Sequence, residues 1–208
     1  MSELGKRYRA NYDRIAEEFS KVSQETRTIA SLVGYDLRWI YYNHPRRPLR
    51  VLDVGCGSGW ITKDLHFAVV VNTDISVKQL KSVSGKARLA ADAEALPLKD
   101  SMADVVVCSD VLEHVLDPKE MASEITRVLR PHGDLLLAVP WEQDLSAYDD
   151  PRYEKRYEFV HLRSIGGLDI YTWFPNYRIR NWTDITNQCP GQWSPYNIKY
   201  MHLENLKK

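Results

Sequence analysis

The stretch LRVLDVGCGSGW, residues 49–60, decides the fold of this chain. Its first half is a short apolar run with β-branched residues, which predicts a buried β-strand. Its second half holds three alternating glycines, Gly55, Gly57 and Gly59. Because glycine has no Cβ, the backbone at these positions can adopt positive φ and come close to a ligand. The stretch therefore predicts a strand that runs into a tight ligand-binding turn.

The spacing of the glycines distinguishes two classes of ligand. The dinucleotide-binding fingerprint G-x-G-x-x-G would require glycine at position 60, where the chain has Trp60. The chain has D-V-G-C-G-S-G instead, with Asp53 two positions before the first glycine. This pattern resembles the first motif of the class I S-adenosylmethionine (SAM)-dependent methyltransferases, in which the loop passes under the methionine portion of the cofactor. A glycine turn that only reverses the chain is the alternative.

Length, charge and cysteine content narrow the class of protein. A chain of 208 residues suits one domain, and 28 Lys plus Arg balance 28 Asp plus Glu, so the net charge favours no nucleic acid partner. The three cysteines form no C-x-x-C pair, which indicates neither a disulfide framework nor a cysteine zinc site. No apolar run reaches the roughly 18 residues of a membrane span. We therefore expect a reduced, cytoplasmic protein.

The residues before the core, 1–48, have a helical pattern. Apolar residues recur at intervals of three and four over residues 8–42, which predicts two helices with a break near residues 20–23. The segment NYDRIAEEF is similar to the leading helix of many small-molecule methyltransferases, which folds over the cofactor as a lid. The resemblance implies that Tyr12 contacts the cofactor. The alternative is an amphipathic helix that only covers the sheet.

After the glycine loop, ITKDLHF predicts a short helix whose first amide groups point at the loop and suit the carboxylate of a bound amino-acid moiety. AVVVNTDIS then predicts a second buried strand that ends in Asp74, 21 residues after Asp53. An acidic side chain at this place can accept hydrogen bonds from both hydroxyls of a ribose. The alternative for Asp74 is to cap a helix over residues 76–84, a role that Ser76 could share.

A third strand is predicted over residues 87–91, followed by DAEALP. In the methyltransferases that this chain resembles, an acidic residue directly after the third strand meets the exocyclic amine of adenine, and the next backbone amide meets a ring nitrogen. The matching positions are Asp92 and Ala93. The alternative is that Asp92 is a loop residue whose side chain only contacts solvent.

The segment SDVLEHVLDPKEMASEITRVLRPHGDLLLAVP extends the resemblance. A fourth strand is predicted over residues 104–108, before this segment. Asp117 as N-cap and Pro118 as first helical residue predict a helix that stops at Arg130. A fifth strand is predicted over residues 135–139.

From residue 49 to 140 the resemblance to SAM-dependent methyltransferases, including quinone-pathway and natural-product enzymes, is continuous. It implies a Rossmann-like α/β fold with a seven-stranded, mostly parallel sheet, helices on both faces and an N-terminal helical lid. We expect one domain, with the lid at 1–48, the SAM-binding core at 49–140, and a substrate loop with sheet-closing strands at 141–208. The implied cofactor contacts are Tyr12, Asp53, Gly55, Cys56, Gly57, Gly59, Asp74, Ile75, Asp92, Ala93 and Ser109.

Methyl transfer to a hydroxyl, a phenol or an acidic carbon is helped by a base, and histidine has a suitable pKa. His114 follows the carboxyl end of the predicted fourth strand, where ligands of open α/β sheets bind, and His161 lies in the expected substrate loop. We predict both as catalytic candidates. A hydrogen-bonded residue that only orients its turn is the alternative for His114.

A divalent cation is a further possibility that the resemblance raises. Some family members, including small-RNA terminal methyltransferases and certain quinone O-methyltransferases, bind one through E-x-x-E-H and a downstream histidine. The corresponding residues are Asp110, Glu113, His114 and His161, with Asp110 in place of the first glutamate. Because L-E-H also occurs in members without a metal, no metal is assigned.

Aromatic residues are concentrated at the two ends of the chain. Of 22 Phe, Trp and Tyr residues, 7 precede residue 43 and 13 follow residue 140, so the ends are candidates for a chamber that takes an apolar or ring-containing acceptor. The alternative is that these aromatic residues form the hydrophobic core of segments that contain few Leu and Ile residues.

We expect a SAM-dependent methyltransferase of a small molecule, with the O, N or C acceptor atom open. The rivals are an RNA or protein methyltransferase and a non-catalytic SAM-binding regulatory or partner subunit.

Overall fold

The computed structural model describes residues 9–10, 12–14, 24–44, 48–84, 87–143, 173–184 and 196–207. Residues 9–10 and 12–14 are helical, whereas the predicted break near residues 20–23 lies outside these ranges. In chain order the elements are α1 (Gln24–Asn43), β1 (Leu49–Val54), β2 (Ala68–Asp74), α2 (Val77–Leu80), β3 (Ala87–Ala90), β4 (Ala103–Ser109), α3 (Pro118–Val128), β5 (Leu129–Gln143), β6 (Tyr177–Asp184) and β7 (Tyr196–Asn205).

The strands form one seven-stranded sheet in the order β3-β2-β1-β4-β5-β7-β6. The strands from β1 to β5 pair in parallel, and β7 runs antiparallel to both β5 and β6. The predicted seven-stranded, mostly parallel sheet is confirmed. Chain order reverses between the neighbouring strands β1 and β4, and such a reversal leaves a crevice at the carboxyl ends of the strands.

Each face of the sheet is covered by a different helix. Neighbouring residues of a strand point to opposite faces, so Val51 belongs to one apolar cluster and Leu52 to the other. Helix α1 covers the first cluster with Ile29, Val33, Leu37 and Ile40, and α3 covers the second with Met121, Ala122, Ile125 and Val128. Helices on both faces are therefore confirmed.

The helix predicted for ITKDLHF is wrong, because residues 57–64 form successive turns. Thr62, a β-branched residue with low helix propensity, is completely buried and donates a hydrogen bond to Asp53 Oδ2 at 2.8 Å. This contact holds the segment against β1. Consequently the expected helix N-terminus is not available to a ligand at this position.

The passage from α3 to β5 also differs from the prediction. Helix α3 ends at Val128 and β5 begins at Leu129, with no intervening loop. Leu129 pairs with Ala103, and the register then shifts so that Asp134 pairs with Val105. Gly133 permits the close approach, because a Cβ there would lie 2.9 Å from the carbonyl oxygen of Asp104.

Asp104 pairs with two arginines at the end of the sheet opposite the crevice. Its carboxylate accepts hydrogen bonds from the backbone and guanidinium of Arg50 and from Arg130 Nε, and His44 Nε2 lies 3.8 Å away. Burial raises the pKa of Asp104, but the hydrogen bonds from Arg50 outweigh burial and bring the pKa below its ordinary value. This contact connects the ends of β1, β4 and β5.

A second buried network attaches α1 to β5 and β7. His202 donates a hydrogen bond of 2.8 Å from Nε2 to Asp134 Oδ1, and its Nδ1 lies 3.4 Å from Asp36. Tyr200 donates a hydrogen bond of 2.7 Å to the other oxygen of Asp36. Burial lowers the pKa of His202, but the hydrogen bonds to Asp134 and Asp36 outweigh it and raise the pKa above its ordinary value.

This network predicts a pH dependence of stability. Because the folded-state pKa of His202 is raised, its stabilising contribution is complete below about pH 6.5 and is lost as the pH rises through the folded-state pKa. His202→Gln is expected to be less stable than wild type by about 3 kcal/mol at pH 5.5, with the gap narrowing towards pH 9. Urea unfolding at several pH values measures this, and a gap that does not change with pH would contradict it.

Candidate active site

A cavity lies at the crevice where β1, β2 and β4 end. Its lining comes from the glycine loop, the end of β2, the loop after β3 and the residues that follow β4, together with Tyr12, Thr26 of α1 and Gln79 of α2. Nine of the predicted cofactor contacts border it, together with His114: Tyr12, Gly55, Cys56, Gly57, Asp74, Ile75, Asp92, Ala93 and Ser109. Asp53 and Gly59 are buried and do not border it. His161 lies outside the described residues.

The glycine loop has the backbone shape that its sequence predicts. Gly55, Gly57 and Gly59 all have positive φ, at 66°, 53° and 73°. A Cβ at Gly55 would overlap the side chain of Val111, which follows β4, whereas a Cβ at Gly57 would meet no atom within 4 Å. The loop therefore packs tightly against the β4 side at Gly55 and leaves open space at Gly57.

Asp74 joins the glycine loop to the turn after β2. Its Oδ2 accepts a hydrogen bond of 2.8 Å from the Gly57 amide, and its Oδ1 accepts one of 2.8 Å from the Ser76 amide. Burial raises the pKa of Asp74, although these hydrogen bonds oppose the rise. The cap of α2 is Ser76, whose hydroxyl accepts from the Gln79 amide, so the alternative that Asp74 caps this helix is wrong.

Asp53 supports the glycine loop from the core side. Its side chain accepts from Thr62, and its carbonyl oxygen accepts from the Thr73 hydroxyl at 3.1 Å. Burial raises the pKa of Asp53 to about 7, with the negative charge of Asp74 adding to the rise. The acidic residue of the motif thus holds the loop in place from within the core.

Glu94 is a cavity residue that the sequence did not identify. Its Oε1 accepts hydrogen bonds from the amides of Leu116 and Asp117, the latter at 3.1 Å. Its own amide donates to Asp92 Oδ1 at 3.1 Å. Glu94 therefore connects the loop after β3 to the segment that carries His114. The partners lie 22 and 23 residues away in the chain, and no local pattern signals such a pairing.

His114 reaches the cavity from the segment after β4. Its Nε2 lies 3.6 Å from Oε1 of Glu113, and its ring meets Tyr12 edge-on with a centroid distance of 6.2 Å. Glu113 is 7% exposed, and its Oε2 has no hydrogen-bond partner among the described residues. Burial, and then the charge of Asp110, raise the pKa of Glu113 well above its ordinary value. An imidazole with a buried carboxyl group beside it can exchange a proton with a ligand.

The carboxylates and the imidazole after β4 are also the candidate ligands of a divalent cation. Within the described part of the chain, no group of three His, Cys, Asp or Glu side chains is arranged to hold a metal ion. Asp110, Glu113 and His114 belong to this part of the chain, whereas the fourth candidate ligand, His161, lies outside it.

Trp60 is a second cavity residue whose role the sequence did not identify. Its ring lies 4.0 Å from Lys63 Nζ and 5.3 Å from Arg27 Cζ. A cation over an indole face is attracted by the ring quadrupole. The residue that excludes the dinucleotide fingerprint thus forms part of the cavity wall and connects it to α1. The signal was present in the sequence, as an aromatic residue directly after the last loop glycine.

Comparison with known proteins identifies related sequences and folds. Residues 52–137 match a family model described as a methyltransferase domain. The ubiquinone biosynthesis O-methyltransferase of Thiobacillus denitrificans is 30% identical over 138 residues, which cover 60% of this chain and 58% of that protein. The protein of the same name from Parvibaculum lavamentivorans is 33% identical over 115 residues, covering 50% and 44%. The chain thus spans less than two thirds of the length of these relatives.

Among solved structures, a SAM-dependent methyltransferase of Thermotoga maritima matches with a TM-score of 0.64 and 17% identity, covering 93% of this chain and 98% of that one. At this identity the match concerns the fold. Among the described residues, no helix is both long and apolar enough to cross a membrane.

The fit of the glycine loop against β4 predicts an asymmetric response to added methyl groups. Gly55→Ala is expected to destabilise the fold by at least about 1–3 kcal/mol, because Ala disfavours positive φ and its Cβ would overlap Val111. Gly34→Ala in α1 is the control, since its Cβ would meet no atom and is expected to stabilise by about 0.5–1 kcal/mol. Urea unfolding of both variants measures this, and equal shifts would contradict it.

Proposed function

Because residues 52–137 of this chain form a class I SAM-dependent methyltransferase domain, we propose that the protein is an enzyme that transfers the SAM methyl group to a small-molecule acceptor. The observation that carries the proposal is the cavity at the β1–β4 reversal, where the glycine loop, Asp74 and Asp92 come together with His114. Ligands of open α/β sheets bind at this position.

The donors and acceptors around the cavity fit the parts of SAM. Each Asp74 oxygen accepts one amide hydrogen bond and has a second lone pair for a ribose hydroxyl. Asp92 and the Ala93 amide border the same cavity and are suited to the adenine amine and ring nitrogen. The glycine loop gives the methionine portion backbone contact without interfering side chains. Bound SAM supplies an electrophilic methyl group on a sulfonium leaving group.

The acceptor that we propose is a small molecule with a hydroxyl group, aromatic or apolar in character. Two relatives named as ubiquinone biosynthesis O-methyltransferases support an oxygen acceptor. His114, which borders the cavity, would take the hydroxyl proton. The remaining contribution of the protein is to hold the reacting groups aligned, which can supply several kcal/mol, or about 10²-fold or more in rate.

The two rivals make different demands on the chain. An RNA or protein methyltransferase needs a basic or grooved surface, but residues 141–208 hold 9 Lys plus Arg against 9 Asp plus Glu. A non-catalytic SAM-binding subunit needs no proton acceptor at the cavity, where His114 is present. A reducing, cytoplasmic location is part of the proposal and is supported by Cys56 and Cys108, both free thiols.

Cofactor binding is expected to depend on Asp74. Asp74→Ala should weaken SAM binding by about 1–3 kcal/mol, because it leaves the ribose hydroxyls without an acceptor. Isothermal titration with SAM measures this. Asp64→Ala is a matched control, since this carboxylate lies on the neighbouring turn with a side chain that is 80% exposed. An Asp74→Ala variant that binds SAM as tightly as the control would contradict the assignment.

The transfer itself is tested with SAM labelled in the methyl group and a panel of phenols, catechols and aromatic amines, with RNA and a peptide pool as rival acceptors. We expect label in an organic-extractable hydroxylated product. His114→Ala should lower turnover by about 10²–10⁴-fold. Label that enters RNA or peptide, and none of the small molecules, would contradict the proposed acceptor class.

A further inference from the structure

We propose that Asp13 is a positioning residue that anchors residues 12–14 across the cofactor cavity, and that this anchor must open before the cofactor can enter or leave. We call residues 12–14 the strap. The inference rests on the proposed function, because Tyr12 of the strap borders the cavity assigned to SAM. It gives the predicted N-terminal lid a specific attachment point.

One side of the anchor lies on the β2 side of the crevice. Asp13 Oδ1 accepts a hydrogen bond of 2.5 Å from the Ser76 hydroxyl and one of 3.0 Å from the Lys78 amide. These partners lie 63 and 65 residues further along the chain, at the start of α2. Burial raises the pKa of Asp13, but the hydrogen bonds from Ser76 and Lys78 bring it below its ordinary value, so the anchor is ionised at neutral pH.

The other side of the strap faces the segment after β4. Tyr12, next to Asp13 in the chain, borders the cavity and meets the ring of His114 at an interplanar angle of 79°. Strands β2 and β4 flank β1 in the sheet. Two consecutive residues of the strap therefore contact both walls of the crevice, with the glycine loop between these walls.

The anchor shares a partner with the proposed ribose site. The Ser76 amide donates to Asp74, and the Ser76 hydroxyl donates to Asp13 and accepts from the Gln79 amide. Movement of Asp13 away from Ser76 thus changes the hydrogen bonding of the residue that holds Asp74. By linkage, a cofactor that favours the closed strap is in turn held more tightly by it.

A purely structural role for Asp13 would consist of capping α2. That helix spans only four residues and already has Ser76 as its N-cap. Capping alone would make the effect of Asp13 independent of Tyr12. A strap would make the two residues act together, because loss of either one removes the same closure. A double-mutant cycle separates the two cases.

The experiment measures release of S-adenosylhomocysteine, the demethylated form of SAM, by stopped-flow fluorescence of the six tryptophans, of which Trp60 lies in the cavity wall. We expect Asp13→Ala and Tyr12→Ala each to raise the release rate at least 10-fold, and the double variant to add less than 3-fold to either. Asp13→Asn retains an acceptor oxygen and should restore most of the slow release. Glu120→Ala, which removes an exposed carboxylate from the first turn of α3, should release at the wild-type rate.

Two results would overturn the inference while leaving the proposed function intact. One is a wild-type release rate in Asp13→Ala. The other is a double variant whose rate is the product of the single effects, which would assign Asp13 to α2 alone. A wild-type protein that fails to bind S-adenosylhomocysteine would overturn the proposed function, and this inference with it.

Discussion

The carboxylate of Asp74 holds three segments together at the end of β2. One oxygen accepts from the Gly57 amide and fixes the glycine loop, and the other accepts from the Ser76 amide and fixes the start of α2. Through Ser76 the same group is connected to Asp13 of the N-terminal strap. The shape of the cavity therefore depends on one side chain at the edge of the sheet, which also lies where a ribose is expected.

Such a site concentrates buried carboxyl groups. Burial is the largest contribution to the raised pKa of Asp53, Asp74 and Glu113 alike. Unpaired buried charge opposes folding, so the rest of the domain must supply the stability. The contacts at Asp104 and at His202, which are fully paired, lie in the parallel and antiparallel parts of the sheet. These two sets of contacts hold the strands in register, and the carboxyl groups of the crevice remain available to a ligand.

The sequence predicted the structure correctly where a short local pattern has a single physical cause. Apolar runs before glycine gave β1, alternating glycines gave the positive φ angles, and the pair Asp117 and Pro118 gave the start of α3. Each of these features depends on residues within a few positions of one another. The seven-stranded, mostly parallel sheet followed from the family resemblance, which carries information that periodicity alone lacks.

Other features depend on contacts that no local pattern encodes. The helix expected after the glycine loop is replaced by turns because Thr62 bonds to Asp53, nine residues earlier. Glu94 and Asp13 have partners 22 and 63 residues away, and a side chain that accepts from a distant backbone amide leaves no periodic signal. These long-range contacts connect the cavity walls. Many residues of the site could therefore be predicted from the sequence, but their arrangement could be learned only from the structure.

The most direct test of the account is an isothermal titration of the wild-type protein with SAM and, separately, with NAD. Trp60 stands where the dinucleotide fingerprint requires glycine, and Asp74 offers acceptors for a ribose next to a loop that suits a methionine chain. The account predicts saturable binding of SAM with a dissociation constant of about 1–100 μM, or roughly −8 to −5.5 kcal/mol, and no binding of NAD. Binding of NAD without SAM, or of neither, would contradict it.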